Sequence, residues 1–265
     1  MTEIPLYQVD AFTDVPFHGN PAGVCLLPAP RSAEWMLQVA AEMNLSETAF
    51  LVKQSEGFDL RWFTPTVEIE LCGHATLASA HVLYEKRIAA PGDTLQFHTL
   101  SGVLRATQSQ GWVQLDFPAR KLIPCSENEI VSAALQLVPE ECYQSGENLL
   151  YVLEDESAVR HLVPDFGALA RAPFHGIIVT APANGGKFDF VSRFFAPAIG
   201  INEDPVTGSS HCTLTPYWQE RLHKDYLQAY QASSRGGELA VHASGERVYI
   251  SGQAVTVFET RLWTN

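Results

Sequence analysis

The sequence predicts an α+β protein whose strands are mostly antiparallel. Short segments rich in Val, Phe, Tyr, Trp and Thr, separated by turn residues such as Pro91-Gly92-Asp93, outnumber the helical segments. The regular alternation of strands and helices that is typical of a doubly wound parallel sheet is missing from the pattern. At 265 residues the chain is also long enough to divide into two domains.

Composition and hydrophobic periodicity define the individual elements. The predicted strands are Leu6–Phe12, Gly23–Leu27, Thr48–Val52, Phe58–Phe63, Thr94–Thr99, Gly102–Ala106, Trp112–Phe117, Leu149–Val152, Gly176–Thr180, Phe188–Phe195, Arg247–Ile250 and Ala254–Glu259. The predicted helices are Ser32–Met43, Thr76–Lys86, Ser126–Leu137 and Ser210–His223.

Charge and cysteine usage exclude several classes of function. The formal net charge of −13 argues against a nucleic-acid or anionic-membrane partner, because either needs a basic face. No segment approaches the roughly 18–20 apolar residues of a membrane span, and the acidic N-terminal segment is unlike a signal peptide. The five cysteines have irregular spacing without a C-x-x-C pair, so neither a disulfide framework nor a structural zinc site is expected. We expect a cytoplasmic, reduced protein.

An internal repeat predicts two similar halves. The segment Arg61–Val67 is echoed by Arg193–Ile199, 132 residues later, and the glycine that follows each copy, Gly73 or Gly208, is displaced by 135 residues. The later copy therefore carries three additional residues. Similar halves usually meet at a cleft, where ligands bind. We expect one half to comprise residues 1–118 with residues 253–265, the other to comprise 119–252, and the active site to lie in the cleft between them.

The two glycines mark predicted helix starts that could bind an anion. Backbone N–H groups at Gly73-His74-Ala75-Thr76 and at Gly208-Ser209-Ser210 would have no partner within the helix, and the helix dipole favours a carboxylate or an oxyanion there. Gly and Ser are also ordinary helix-start residues, so a purely structural role remains the alternative.

Three side chains near these starts could move protons. Glu47 lies between a predicted helix and an apolar strand, where partial burial favours general acid/base chemistry, although an exposed junction acid is the alternative. Asp204 precedes the second helix start, where it either caps a turn or contacts a substrate. His74 directly follows Gly73 and could serve as a donor or a proton shuttle.

The sequence offers little support for a metal or a nucleotide. His74 and His81 are two helical turns apart, about 10 Å, which is too far for shared ligation. Zinc-protease spacing, a P-loop and a G-x-G-x-x-G segment are all missing. We therefore expect no metal and no cofactor.

Six motifs carry a family resemblance that covers nearly the whole chain. In order, they are Tyr7–Thr13, Gly19–Val24, Ser46–Phe50, Arg61–Pro65, Cys72–Thr76 and Glu203–Ser209. Together they resemble the PhzF-like family of the diaminopimelate-epimerase superfamily. This resemblance implies two similar domains, each a curved antiparallel β-sheet or barrel around a central helix. It also implies a homodimer without a cofactor, acting on a small anionic carboxylate substrate.

The resemblance assigns roles to individual residues. The family's general acid/base falls on Glu47, and the residues that assist proton transfer and hold the substrate fall on His74 and Asp204. The substrate-binding positions fall on Asn20, Gly73, Gly208 and Ser209.

Racemases and epimerases of the superfamily use two thiols on opposite faces of one carbon. The repeat places Cys72 at the first thiol position and Thr207 at the second, and threonine is too weak a base to replace a thiolate. These positions are therefore interpreted as vestigial, which favours an isomerase that moves a proton between positions of one substrate, as phenazine-pathway members do with a dihydro-hydroxyanthranilate. Two alternatives stay open: an epimerase that uses Cys72 with another base, and a non-catalytic protein that binds a metabolite or a partner.

Overall fold

The chain folds into two compact units in the computed structural model, which describes residues 2–264. Unit 1 comprises the described residues up to Phe117 and those from Tyr249 onward, and unit 2 comprises Pro118–Val248. Residues 1 and 265, at the ends of the predicted first half, lie outside the described residues. The predicted α+β class is confirmed. No helix among the described residues has the length and apolar character needed to span a membrane.

The elements are numbered in chain order. The strands are β1 (Thr2–Ala11), β2 (Asn20–Leu27), β3 (Glu47–Lys53), β4 (Phe58–Phe63), β5 (Glu68–Ile69), β6 (Leu95–Thr99), β7 (Gly102–Ser109), β8 (Trp112–Pro118), β9 (Ile123–Pro124), β10 (Glu141–Ser145), β11 (Asn148–Val152), β12 (Gly176–Pro182), β13 (Phe190–Phe195), β14 (Leu227–Gln231), β15 (Gly237–Ser244), β16 (Arg247–Gly252) and β17 (Ala254–Thr264). The α-helices are α1 (Ala33–Met43), α2 (Gly73–Glu85), α3 (Glu129–Leu135), α4 (Glu156–Arg160), α5 (Phe166–Leu169) and α6 (Gly208–Leu222).

Unit 1 is a mixed sheet with a buried helix. Hydrogen-bonded pairing runs in the order β17–β1–β2–β3–β4–β6–β7–β8, with β2–β3 and β4–β6 parallel and the other pairs antiparallel. Ten of the 13 residues of α2 are buried, and the helix packs against β1, β2, β3, β7 and β17. A helix buried on nearly all sides needs small and apolar residues, which its sequence GHATLASAHVLYE supplies.

Unit 2 repeats this arrangement. Its pairing order is β9–β10–β11–β12–β13–β14–β15, with β11–β12 and β13–β14 parallel and the other pairs antiparallel. The helix α6 packs against β14 and β15, and nine of its 15 residues are buried. Each unit therefore contains an antiparallel strand pair with a parallel neighbour on either side.

The internal repeat has a matching structure in both copies. Arg61 forms a bidentate ion pair with Glu68, with distances of 2.6 and 2.7 Å. Arg193 forms the same pair with Glu203, at 2.7 and 3.0 Å. Each guanidinium also lies over the ring of the phenylalanine two residues later, at 5.2 Å for Arg61 and 4.9 Å for Arg193. The three additional residues of the second copy lie between its arginine and its glutamate.

Some predicted elements differ from the structure. The predicted helix Ser126–Leu137 is shorter, because the Asn128 side chain caps the first turn and Gln136 ends the helix in the left-handed conformation. The predicted helices Thr76–Lys86 and Ser210–His223 begin earlier, at the glycines. The sequence interpretation missed β5, β9, β10, β14 and β15, and also α4 and α5, which are short or lack a run of β-branched residues.

Candidate active site

Glu47 is a buried carboxylate at the first position of β3. Asn44 ends α1 in the left-handed conformation, with φ of 49°, and the chain then turns into the strand. Glu47 pairs with Ala22 of the parallel neighbour β2, and it is only 7% exposed. The alternative interpretation of Glu47 as an exposed junction acid is therefore wrong.

His74 faces this carboxylate from the first turn of α2. Its Nε2 atom lies 3.0 Å from Oε2 of Glu47, and both side chains are buried. The two atoms are at ion-pair distance but are not aligned as a hydrogen bond, and neither makes a hydrogen bond to another group within residues 2–264. Buried polar atoms almost always have partners, and these two atoms face each other as a charged pair.

The other ring nitrogen of His74 has two neighbours. Its Nδ1 atom is 3.1 Å from Nδ2 of Asn20 and 3.6 Å from the Cys72 thiol. Gly19 positions Asn20: its φ is +63°, and a Cβ atom there would lie 2.2 Å from the carbonyl oxygen of Ala11. An amide can present its nitrogen or its oxygen, so Asn20 can bond either the neutral ring or the imidazolium.

Electrostatics favours the charged form of His74. Burial acts to lower its pKa, but the neighbouring Cys72 and Glu47 side chains outweigh burial and hold the pKa of His74 well above its ordinary value. Burial also raises the pKa of the Cys72 thiol, which therefore stays protonated near neutral pH.

Glu47, Cys72 and His74 also form a set of potential metal ligands, because one donor atom of each lies within 4.8 Å of the others. The sequence search considered only local spacings and missed this set, which joins β3 to α2. The thiol lies 3.6 Å from Nδ1 and the carboxylate lies 3.0 Å from Nε2, so both contact the same imidazole ring.

The remaining predicted residues lie in unit 2, at the start of α6. Oδ2 of Asp204 accepts a hydrogen bond of 2.5 Å from the Thr207 hydroxyl, and the backbone N–H of Thr207 donates to Oε1 of Gln231 at 2.8 Å. Gly208 begins the helix and is buried, and Ser209 is half-buried. The sequence interpretation missed Gln231, since it lies on β14 and no local pattern connects it to Asp204.

The starts of α2 and α6 differ from those of the other helices. Among the α-helices within residues 2–264, α1, α3, α4 and α5 each begin with a side chain that accepts a hydrogen bond from the first turn. The N-cap residues of α2 and α6, Cys72 and Thr207, make no such bond, and neither first turn contains an acidic residue. These are the two helix starts that the sequence predicts as anion sites.

Comparison with known proteins identifies the family. A family profile described as phenazine biosynthesis-like protein, PhzC-PhzF, matches residues 9–260. This chain belongs to the PhzF family. One PhzF-family relative, an uncharacterized isomerase from Pseudomonas aeruginosa, is 51% identical over 260 residues, covering 98% of each chain. The crystal structure of a PhzF-family protein from Enterococcus faecalis has a TM-score of 0.95 and 43% identity, and the match covers 99% of this chain and 100% of that one.

The fold extends beyond the PhzF family. A probable proline racemase from Agrobacterium radiobacter has a TM-score of 0.67 at 11% identity, covering 99% of this chain and 93% of that one. At this identity the likeness concerns the fold alone, and it confirms the predicted diaminopimelate-epimerase-like class. The chain is thus a PhzF-family protein of the isomerase- and epimerase-like type.

Proposed function

We propose that this protein is a cofactor-independent isomerase that moves a proton between two positions of a small carboxylate substrate. The observation that carries the proposal is the buried pair of Glu47 and His74, 3.0 Å apart. A carboxylate and an imidazole are the side chains most often used for general acid/base catalysis, and both lie here in a water-poor environment.

The chemistry assigned to the pair is a stepwise proton transfer. The ionised Glu47 removes a proton from a carbon of the substrate, and the electron pair left behind moves into the conjugated system of that substrate. The protonated carboxyl group then returns the proton to another carbon, which leaves Glu47 ionised again. His74 faces the Glu47 carboxylate at 3.0 Å, and Asn20 orients the ring through Nδ1.

The substrate carboxylate needs donors in a protein of net charge −13. The backbone N–H groups at the start of α2, which begins at Gly73 without a side-chain cap, are suited to this task, and they would also stabilise negative charge that develops during proton transfer. The participation of Asp204, Gly208 and Ser209 in the same reaction, in a cleft between the two halves, stays a prediction from the sequence. So do the homodimer and the cytoplasmic location.

A second candidate function is an epimerase that uses Cys72, because its thiol lies 3.6 Å from Nδ1 of His74. Two observations favour the isomerase. Burial raises the pKa of Cys72, so little thiolate forms near neutral pH. The equivalent position in unit 2 is Thr207, whose hydroxyl donates a hydrogen bond to Asp204.

Solvent-deuterium incorporation tests the proposal. A dihydro-hydroxyanthranilate and a panel of amino and hydroxy acids would be incubated in heavy water with wild type, Glu47→Gln and Glu42→Gln. Glu42 is exposed on α1, so its substitution removes the same charge away from the site. We expect incorporation with wild type and Glu42→Gln, and a rate at least 100-fold lower with Glu47→Gln, in line with the roughly 10²–10⁴-fold contribution of general acid/base groups.

Two results would contradict the proposal. Full incorporation by Glu47→Gln on a substrate that wild type turns over would remove Glu47 from the mechanism. Stabilisation of the fold by a panel member, without incorporation by any variant, would favour the binding role that the sequence left open.

A further inference from the structure

Two partly exposed cysteines of unit 2 lie in direct contact. The Sγ atoms of Cys125 and Cys142 are 3.1 Å apart, and both thiols are free. This separation is below the roughly 3.5–4.0 Å optimum for two non-bonded carbon atoms. Because sulfur is larger than carbon, the two sulfur atoms are in closer contact than an ordinary non-bonded pair. The separation is still well above the about 2.0 Å of a disulfide bond.

The sheet register explains why the two thiols meet. In the antiparallel pair of β9 and β10, Pro124 lies opposite Tyr143, so Cys125 continues the same register opposite Cys142. The backbone N–H of Cys125 donates to the carbonyl oxygen of Cys142 at 3.0 Å. Residues that face each other at a hydrogen-bonded position of an antiparallel pair have Cα atoms about 5.5 Å apart. This distance lies within the range of Cα separations that a disulfide spans. The backbone therefore needs no rearrangement to join them.

We propose that Cys125 and Cys142 form a redox-active pair that closes reversibly to a disulfide in response to low-molecular-weight disulfides such as oxidised glutathione. The thiolate of one cysteine attacks the oxidant and releases one reduced glutathione, which leaves a mixed disulfide. The second cysteine then attacks the protein sulfur of that mixed disulfide and releases the second glutathione. The protein loses two protons and two electrons, and the glutathione disulfide gains both.

Cys142 is held as a thiol in the reduced pair. The Cys142 thiol donates a hydrogen bond to the carbonyl oxygen of Ser126 at 3.4 Å. Burial, together with the neighbouring Cys125 and Glu127, raises the pKa of Cys142 to about 12. Both side chains are partly exposed, so a small disulfide can reach them.

Closure would constrain a defined part of unit 2. The bond would link the residue after β9 to β10 and enclose α3 in the loop between them. The residues on either side, Pro124 and Tyr143, also line a cavity of about 910 Å³ within unit 2. Oxidation would therefore fix one wall of this cavity. It would also stabilise the unit, since a disulfide reduces the conformational entropy of the unfolded chain.

Mass spectrometry of the full-length protein tests the inference. The reduced protein would be incubated with oxidised glutathione, alkylated and digested with trypsin and a glutamate-specific protease. These enzymes separate residues 122–127 from residues 142–147, so a disulfide appears as a linked peptide pair. We expect this pair in wild type, the loss of two alkylated thiols, its reversal by dithiothreitol, and a melting temperature several degrees above that of the reduced protein.

The variants Cys125→Ser and Cys142→Ser are the controls. In each, we expect no linked pair and no oxidant-dependent rise in melting temperature. The inference is overturned if folded wild type keeps both thiols alkylatable, retains glutathione as a mixed disulfide, or forms the bond only between two chains. If either variant fails to fold, the peptide map of wild type decides alone.

Discussion

Glu47 and Gly176 occupy the same position in the two copies of the duplicated strand pair. Thr48 lies opposite Phe63 in unit 1, and Ile177 lies opposite Phe195 in unit 2. Phe63 and Phe195 are equivalent in the repeat. Glu47 and Gly176, which directly precede Thr48 and Ile177 and begin their strands, are therefore equivalent as well. Gly176 leaves no room for a side chain, because a Cβ atom there would lie 2.3 Å from the ring of Phe194. The second copy therefore cannot hold a carboxylate where the first copy has one.

The same asymmetry extends to the helix starts. The repeat aligns His74 with Ser209 and Cys72 with Thr207. Both units keep the strand pair, the bidentate Arg–Glu pair and the uncapped central helix, but the buried carboxylate beside a histidine at the helix start, Glu47 with His74, has no counterpart at the aligned positions Gly176 and Ser209 of unit 2. The two copies thus share the scaffold and the potential anion sites, while the buried Glu47–His74 pair belongs to unit 1.

The charge state of His74 is the first prediction. We expect His74 to remain protonated well above pH 6.5 in wild type, and its pKa to fall in Glu47→Gln, where burial is no longer opposed by the carboxylate. A raised folded-state pKa contributes stability that is fully present below the unfolded value and is lost as pH rises through the folded one. Histidine NMR titration measures the pKa. Unchanged titration in Glu47→Gln would show that Glu47 does not control the ring.

The thiol of Cys72 separates the two candidate reactions. We expect Cys72→Ala to retain deuterium incorporation within about tenfold of wild type, because a protonated thiol is a poor base. Cys212→Ala is the matched control, since Cys212 is likewise buried near the start of the central helix of its unit. A loss of more than 100-fold in Cys72→Ala alone would favour the epimerase.

The sequence predicted the scaffold better than the site. The repeat beginning at Arg61 and Arg193 was visible because both copies conserve a contiguous motif, and the apolar strand after Glu47 correctly indicated a buried carboxylate. The contact between Cys125 and Cys142 and the bonds of Gln231 were not predictable. They depend on the register between strands that come together only on folding. The spacing of residues along the sequence does not predict that register.

The repeated Arg–Glu pair provides an internal comparison of stability. The Arg193 side chain is 10% exposed and also donates to the carbonyl oxygens of Val159 and Leu162, whereas the Arg61 side chain is 35% exposed. Removing one partner of a buried pair leaves an uncompensated charge. We therefore expect Arg193→Met to lower the free energy of unfolding by about 3–5 kcal/mol, and Arg61→Met by about 1 kcal/mol or less. Urea unfolding measures both, and equal losses would refute the role of burial.

Acid stability should depend on His211, which is fully buried in α6. Its Nδ1 atom lies 2.8 Å from the carbonyl oxygen of Thr207, and burial lowers the pKa of His211 to about 4. Because the unfolded chain binds a proton near pH 6.5 and the folded one does not, stability is fully present above pH 6.5 and is lost as pH falls towards 4. Between pH 7 and pH 5 this residue alone should lower the free energy of unfolding by about 2 kcal/mol.

The substitution His211→Asn isolates this contribution. Asparagine keeps an N–H donor near the carbonyl oxygen of Thr207 but does not titrate, so we expect the loss between pH 7 and pH 5 to shrink by about 2 kcal/mol. His223→Asn is the control, since His223 is exposed and ends the same helix in the left-handed conformation, which asparagine tolerates. It removes one exposed imidazole and leaves His211 in place. Identical acid sensitivity in wild type and His211→Asn would mean that other groups control unfolding in acid.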